Sequence, residues 1–443
     1  MDYLVHTPCG NVKGTDSKYE NIVAFKGIKY AKAKRFEYPE EITSWKGVYD
    51  ASKYGDTCPQ FRAFQDEEKQ GRFYYREFRK GLTYTYSEDS LNLNVFVPKE
   101  AKENDLLAVI IYIHGGSFTG GSGFEKQFDE PVWPKENVIA VTINYRLNVF
   151  GFGCFDRNDI HVKGNLGLYD QLTAIDWIKH NIKSFGGDPN NITLMGQSAG
   201  AMSIQQLCFS PLAKDKINKA IMISGGGIFP IIKTSSLEKA YKIGDKILDK
   251  LNINDFNTLQ NIDMEILWNA WNDVLKQEKG FLTCGPVIDG NIIIDQESTL
   301  FKNNMQMKIP YIIGSTSEDM FPPVVYLMAK SYIKKARKNN LNAYQYFFNH
   351  QLPGDNCGAW HSSDLWYFFG TLKNSWRPME DADYELSNVM VKHICEFAKT
   401  GKPNEDWLSS NKEVMIFGNG KYEMGRVKFL SLVKQLFKKT TGF

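Results

Sequence analysis

Five short apolar runs rich in β-branched residues, at 106–113, 138–144, 192–195, 220–223 and 311–313, recur along this chain with helical patterns between them. Runs of this length with no polar alternation read as strands covered on both faces. The clearest helical stretch is 167–182, where Leu168, Leu172, Ile175, Ile178 and Ile182 recur at steps of three and four. Strand, helix, strand in that order calls for a mainly parallel, doubly wound α/β sheet. Gly186, Gly187, Asp188 and Pro189 then stop the helix and turn the chain into the next strand.

Three segments stand outside this rhythm. Residues 61–86 mix charge (Asp66, Glu67, Glu68, Lys69) with aromatics (Phe73, Tyr74, Tyr75, Phe78, Tyr84, Tyr86). They read either as a solvated insertion or as a loop overhanging a pocket. Residues 235–279 and 321–340 read as helical insertions, which in such folds cap the C-terminal edge of the sheet. With no repeat, Pro- or Ser-rich linker or low-complexity tract, residues 1–443 are expected to form a single catalytic domain with cap-like insertions.

Composition removes several functional classes. The 42% hydrophobic and 14% aromatic content supplies a large core and pocket lining. Lys plus Arg number 53 against 51 acidic residues, so no field gathers nucleic acid or an anionic membrane. The longest apolar run is far short of the roughly 20 residues a membrane-spanning helix needs. The start, MDYLVHTPCGNVKG, lacks the basic and apolar regions of a secretion signal, which suggests a cytoplasmic protein. Seven cysteines (Cys9, Cys58, Cys154, Cys208, Cys284, Cys357, Cys395) show no metal-like spacing and read as reduced thiols. No metal or cofactor is expected.

The chemistry is carried elsewhere. The strand at 192–195 runs into Gly196-Gln197-Ser198-Ala199-Gly200 and then a helix starting Ala201-Met202-Ser203. This is G-x-S-x-G in the strand–turn–helix setting of a nucleophile elbow, where a side chain at either glycine would strike neighbouring backbone. Upstream, His114-Gly115-Gly116-Ser117-Phe118 directly follows another strand. Acyl transfer passes through a tetrahedral oxyanion, and the amides of Gly116, Ser117 and Ala199 are the candidate donors that stabilise it. Serine needs a base oriented by an acid, and α/β-hydrolases present them in the order Ser, acid, His. Three histidines lie downstream of Ser198: His350 at a strand end, His393 on a helix face, and His361 in a polar loop, where a base belongs. The loop 314–319 follows a strand and offers both Glu318 and Asp319 as the acid. Spacing alone does not choose between them.

Other blocks extend the likeness over almost the whole chain: Gly10-Asn11-Val12-Lys13-Gly14, Phe25-Lys26-Gly27-Ile28-Lys29-Tyr30-Ala31, Tyr54-Gly55-Asp56-Thr57-Cys58-Pro59-Gln60, Ser87-Glu88-Asp89-Ser90-Leu91-Asn92-Leu93-Asn94, Asn144-Tyr145-Arg146, Gly164-Asn165-Leu166-Gly167-Leu168-Tyr169-Asp170-Gln171 and Gly285-Pro286-Val287-Ile288-Asp289-Gly290. In this order they resemble the type-B carboxylesterase and cholinesterase family. The resemblance implies the α/β-hydrolase fold and a serine carboxylesterase acting on small, largely uncharged esters through an acyl-enzyme. It selects Asp319, five residues after Gly314, as the acid, although the family usually has Glu there. It also places Ser224 as a hydroxyl near the catalytic histidine and keeps Gln197 and Glu318 close to the site. Gln197 stands where cholinesterases have Glu, and no tryptophan lies between Cys58 and Ser87 to stack on a quaternary ammonium, so choline esters are not the expected substrates. Ser90 replaces the cysteine that secreted relatives bridge to the position of Cys58, in keeping with a reducing compartment. A shortened C-terminal part suggests a compact bacterial-type esterase. The alternatives are a non-catalytic binding protein on the same fold, or a thioesterase or amidase using the same residues. Phe118, Phe229 and Trp360 suggest either an apolar pocket or plain core.

Overall fold

The computed structural model describes residues 3–60, 72–228, 233–278 and 285–440. Along the chain, the sheet strands are β1 (Tyr3–Thr7), β2 (Gly10–Asp16), β3 (Ile22–Lys29), β4 (Asn92–Pro98), β5 (Leu107–Ile113), β6 (Val138–Ile143), β7 (Gly187–Gln197), β8 (Lys219–Ile223), β9 (Tyr311–Thr316), β10 (Ala343–Phe348), β11 (Val414–Gly418) and β12 (Lys421–Gly425). They lie side by side in the order β1-β2-β3-β4-β6-β5-β7-β8-β9-β10-β11-β12, with Val48–Asp50 added alongside β2. From β6 to β11 every neighbouring pair is parallel, and the flanks are antiparallel. This is the α/β-hydrolase arrangement, and all five apolar runs fall on its parallel centre.

The core explains why those runs show no polar alternation. On β5, Ile111 and Ile113 join one buried cluster while Ile110 and Tyr112 join another on the opposite face. Both faces are covered, so both must be apolar. The main helices are α1 (Leu166–Asn181), α2 (Ala199–Phe209), α3 (Leu237–Leu251), α4 (Met264–Gln277), α5 (Pro322–Lys338), α6 (Asp381–Thr400) and α7 (Phe429–Thr440). The expected helix at 167–182 is α1, which tightens into a 3-10 turn at Ile182–Phe185 before Gly186 reverses the chain at φ 90°.

Residues 235–279 are mostly helical where described, through α3, a short helix at Phe256–Asn261 and α4. The segment 321–340 takes a different part from the cap that its sequence suggested. It forms α5, the crossover helix between the adjacent parallel strands β9 and β10. Two parallel neighbours need such a connection, and the buried Tyr332, Ile333 and Ala336 are the face it turns inward. The six cysteines described are free thiols, buried except for Cys357; Cys284 lies outside the described residues. Among the described residues no helix is long and apolar enough to cross a membrane.

Candidate active site

Ser198 stands between β7 and α2 at φ 53° and ψ −122°, a strained backbone conformation for a residue with a side chain. Crowding on both sides enforces the turn. A Cβ on Gly200 would lie 2.0 Å from the carbonyl oxygen of Ile113, and one on Gly196 would lie 2.7 Å from the carbonyl of Gly200. Glycine alone fits at either place. The Ser198 N–H is tied to the Ile223 carbonyl at 2.9 Å, so the elbow is anchored to β8, and its hydroxyl-bearing side faces a cavity of about 240 Å³.

His361 lines the same cavity. Its Nδ1 lies 2.6 Å from Asp319 Oδ1, and its Nε2 lies 2.9 Å from the side-chain nitrogen of Gln197. An amide nitrogen only donates, so Nε2 presents its lone pair and Nδ1 carries the proton given to Asp319. This is the tautomer a general base requires.

Asp319 is fully buried. Burial on its own would raise its pKa, but the facing His361, the nearby Ser224 hydroxyl and the Met320 N–H outweigh that and hold it below the ordinary carboxylate value. The Thr316 N–H and hydroxyl donate to its other oxygen at 3.3 and 3.2 Å. Ser224 acts on this carboxylate, close enough to stabilise its charge although outside hydrogen-bonding geometry.

Of the two acids left open by spacing, Asp319 meets the imidazole and Glu318 turns away. Glu318 accepts the Ala359 N–H at 2.7 Å, the Ser317 hydroxyl, and the Gln435 side-chain N–H of α7 at 2.8 Å. It therefore ties together the loops that carry Asp319 and His361. The other downstream histidines are engaged elsewhere: His350 with Asp383 at 2.7 Å, and the buried His393 on α6, 3.6 Å from Asp406. Gly116 and Ser117 border Ser198 in the cavity, and Ala199 is the first residue of α2. The turn bearing Gly116 needs φ 110°, and a Cβ there would lie 1.9 Å from the Gly120 carbonyl oxygen.

A profile of the carboxylesterase family matches residues 2–344 and 323–428. The para-nitrobenzyl esterase of Bacillus subtilis (strain 168) is 30% identical over 478 residues, covering 93% of both chains. The chain belongs to the carboxylesterase family. The bile salt-activated lipase of Mus musculus is 34% identical over 501 residues, covering 90% of this chain and 79% of its own. A solved PNB esterase structure superposes with a TM-score of 0.85 at 27% identity, covering 99% of this chain and 100% of that one. This member of the carboxylesterase family is thus a carboxylic ester hydrolase of the α/β-hydrolase fold.

Of the two readings left open for the aromatics of this carboxylesterase, pocket or core, the structure selects core for Phe118 and Trp360. Phe118 is fully buried against Phe152, and Trp360 packs on Phe73, Tyr74 and Phe78, so neither lines the cavity; Phe229 lies outside the described residues. Within 61–86, where residues 61–71 are not described, Tyr74, Phe78 and Arg79 do wall the cavity, as the overhanging-loop reading required. Tyr74 ends a short helical turn at Arg72–Tyr74, the π-helical turn at Tyr75–Arg79 presents Phe78 and Arg79, and the buried Glu77, paired with Arg377 at 3.0 Å, pins that turn. Also missed were the polar Tyr112, Glu125 and Gln127 and the apolar Phe128, Met320 and Leu365, all of which line the cavity. Nothing in their spacing marks them; only the closeness of Glu125 and Gln127 to the Gly-Gly loop along the chain was a signal.

Proposed function

We propose that Ser198 is the nucleophile of this carboxylesterase, His361 its general base and Asp319 the acid that fixes the imidazole. The observation that carries the reading is the 2.6 Å contact between His361 Nδ1 and the buried Asp319. It leaves Nε2 to take the serine proton as Oγ attacks the acyl carbon. The Gln197 amide covers Nε2 at rest and yields that place when the hydroxyl turns toward it. The N–H groups of Gly116, Ser117 and Ala199 stabilise the oxyanion, fixed in place beforehand by the glycine turn and the start of α2. The leaving alcohol takes the proton from His361. Water then repeats the cycle on the acyl-enzyme.

The scheme calls on no metal or cofactor, so turnover should survive EDTA. We further read residues 1–443 as one catalytic domain, in which α3 and α4 form the cap-like insertion, and place it in the cytoplasm as a bacterial-type esterase without nucleic-acid or membrane partners. The free Cys58 thiol and Ser90 support a reducing compartment. The test is hydrolysis of a p-nitrophenyl acyl series by wild type and Ser198→Ala. The expected result is loss of about 10⁴-fold or more in kcat, and survival of activity in the variant would end the assignment. Parallel thioester and anilide substrates rank the rival acyl-transfer activities.

A further inference from the structure

Asp319 fixes the imidazole of His361, but the backbone from which that ring hangs lies in a turn outside every helix and strand. No ladder of main-chain bonds holds it. On one side its loop is strapped to the segment after β9. There the Glu318 N–H donates to the Ala359 carbonyl at 3.0 Å, and the Ala359 N–H donates back to the Glu318 carboxylate at 2.7 Å. On the other side the loop meets the cavity wall at residues 73–79. The Tyr74 hydroxyl donates to the His361 carbonyl at 3.2 Å. Trp360, the residue before His361, packs its ring among Phe73, Tyr74 and Phe78, with centroids 4.9, 5.8 and 5.4 Å apart.

A buried ion cluster ties that wall to the same loop a second time. Arg377 Nε and Nη2 each donate to an oxygen of the buried Glu77 at 3.0 Å. Arg377 Nη1 and Nη2 also donate to the two oxygens of Asp355 at 3.0 and 2.8 Å, and Nη1 reaches the Pro353 carbonyl at 2.8 Å. Glu77 belongs to the wall, whereas Pro353 and Asp355 belong to the loop that leads into His361. A planar guanidinium held by two oxygens on each side fixes the distance and the angle between the segments it joins. Tyr74 is thereby presented to His361 from a rigid base.

An apolar wall needs the Tyr74 ring and has no use for its hydroxyl; the neighbouring Phe73 and Phe78 serve without one. What the hydroxyl does touch is the main chain of the residue that moves the proton. A general base misplaced by about 1 Å can lose about 100-fold in rate, so a bond that holds its backbone acts on turnover. We propose that Tyr74 is a positioning residue for the general base: its hydroxyl fixes the main chain of His361, and the Glu77–Arg377–Asp355 bridge keeps Tyr74 where it can do so. The inference rests on the triad assigned above. Because Tyr74 also lines the cavity, the wall that meets the substrate and the base that acts on it form one body.

The test is Tyr74→Phe, which keeps the ring against Trp360 and removes only the hydroxyl. Hydrolysis of p-nitrophenyl butyrate is measured per site titrated to completion with a fluorophosphonate, so loss of folded enzyme cancels. Both acylation and deacylation use His361, so kcat reports on it whichever step limits. The expected result is a fall of about 10-fold in kcat with KM within about twofold of wild type. A raised KM with kcat kept would make Tyr74 a wall residue only, and a lower unfolding temperature with kcat per site kept would make it a structural one. Either outcome would overturn the inference. Glu77→Gln weakens the bridge and should lower kcat in the wild-type background but add little to Tyr74→Phe, since both changes act through one bond. Losses that multiply in the double variant would overturn the coupling through Arg377. Should Glu77→Gln fail to fold, Tyr74→Phe alone decides. Ser198→Ala separates the two readings. If it is inactive while Tyr74→Phe keeps its kcat, the positioning role alone falls; if it stays active, both fall.

Discussion

Two loops frame His361, and each holds a carboxylate sealed from water, yet the two carboxylates are set to opposite states. Asp319, after β9, is pulled below the ordinary carboxylate pKa because an imidazole, a nearby hydroxyl and a backbone N–H favour its charge over the cost of burial. Asp364, three residues beyond His361, is pushed up to about 7, because burial and the neighbouring Asp319 charge prevail over the hydrogen bond from the Tyr346 hydroxyl at 2.8 Å and the weaker pull of His361 and a backbone N–H. Its Oδ1 has no partner. The lesson is that burial does not set a carboxylate's role; the number of donors aimed at it does.

The largest break in this comparison is Asp319→Asn. The amide preserves the shape but favours the wrong imidazole tautomer, and kcat should fall by ~10⁴-fold with KM little changed. Steady-state kinetics on p-nitrophenyl butyrate measure this, and a variant within tenfold of wild type would mean that Asp319 does not orient His361.

Asp364→Asn should show its effect in stability. Between the ordinary value and about 7, the native state holds a proton that the unfolded chain has released, so this group makes stability fall as pH rises through that window. Asp319 has the opposite sign: its contribution is present above the ordinary carboxylate pKa and is lost as pH falls through its depressed native value. Asp364→Asn should flatten the decline between pH 4 and 8 by up to about 4 kcal/mol. Urea unfolding at several pH values measures it, and parallel wild-type and variant curves would refute the elevated pKa.

The same contrast shows what the sequence could reveal. The sharp turn at residue 198 and the sheet were legible because a tight turn between strand and helix demands glycines at fixed offsets, and strands buried on both faces are continuously apolar. The choice between Glu318 and Asp319 was not legible from spacing, since adjacent residues on an irregular loop point in directions fixed by the Ala359 N–H and Gln435, far away along the chain. The polar part of the cavity wall was hidden for the same reason. Arg79, Tyr112, Gln127 and Glu125 come from three separate segments, and no periodicity records their meeting. Helix α5 was misplaced because an amphipathic pattern does not say whether its apolar face meets a sheet or a cap.

A smaller change sharpens the account of Asp319. Ser224→Ala removes the hydroxyl that helps hold its charge without touching the imidazole contact. The expected loss is roughly 10-fold in kcat, read by p-nitrophenyl butyrate kinetics. An unchanged kcat would mean that the carboxylate's charge is held by other groups.

The smallest expected effect is the most discriminating. Glu318→Gln keeps a side chain of the same shape next to Asp319 but exchanges one oxygen for an amide that cannot accept hydrogen bonds. Glu318 holds the Ala359 N–H, the Ser317 hydroxyl and Gln435, so the change loosens the joint between the two loops and α7. It should cost about 1–2 kcal/mol of stability and only a few-fold in kcat, because the hydrogen bond from His361 to Asp319 is untouched. Thermal unfolding and p-nitrophenyl butyrate kinetics on the same preparation give both numbers. A kcat loss as deep as that of Asp319→Asn would make Glu318 a second acid acting on the imidazole, and the division of labour between the neighbouring carboxylates would fail.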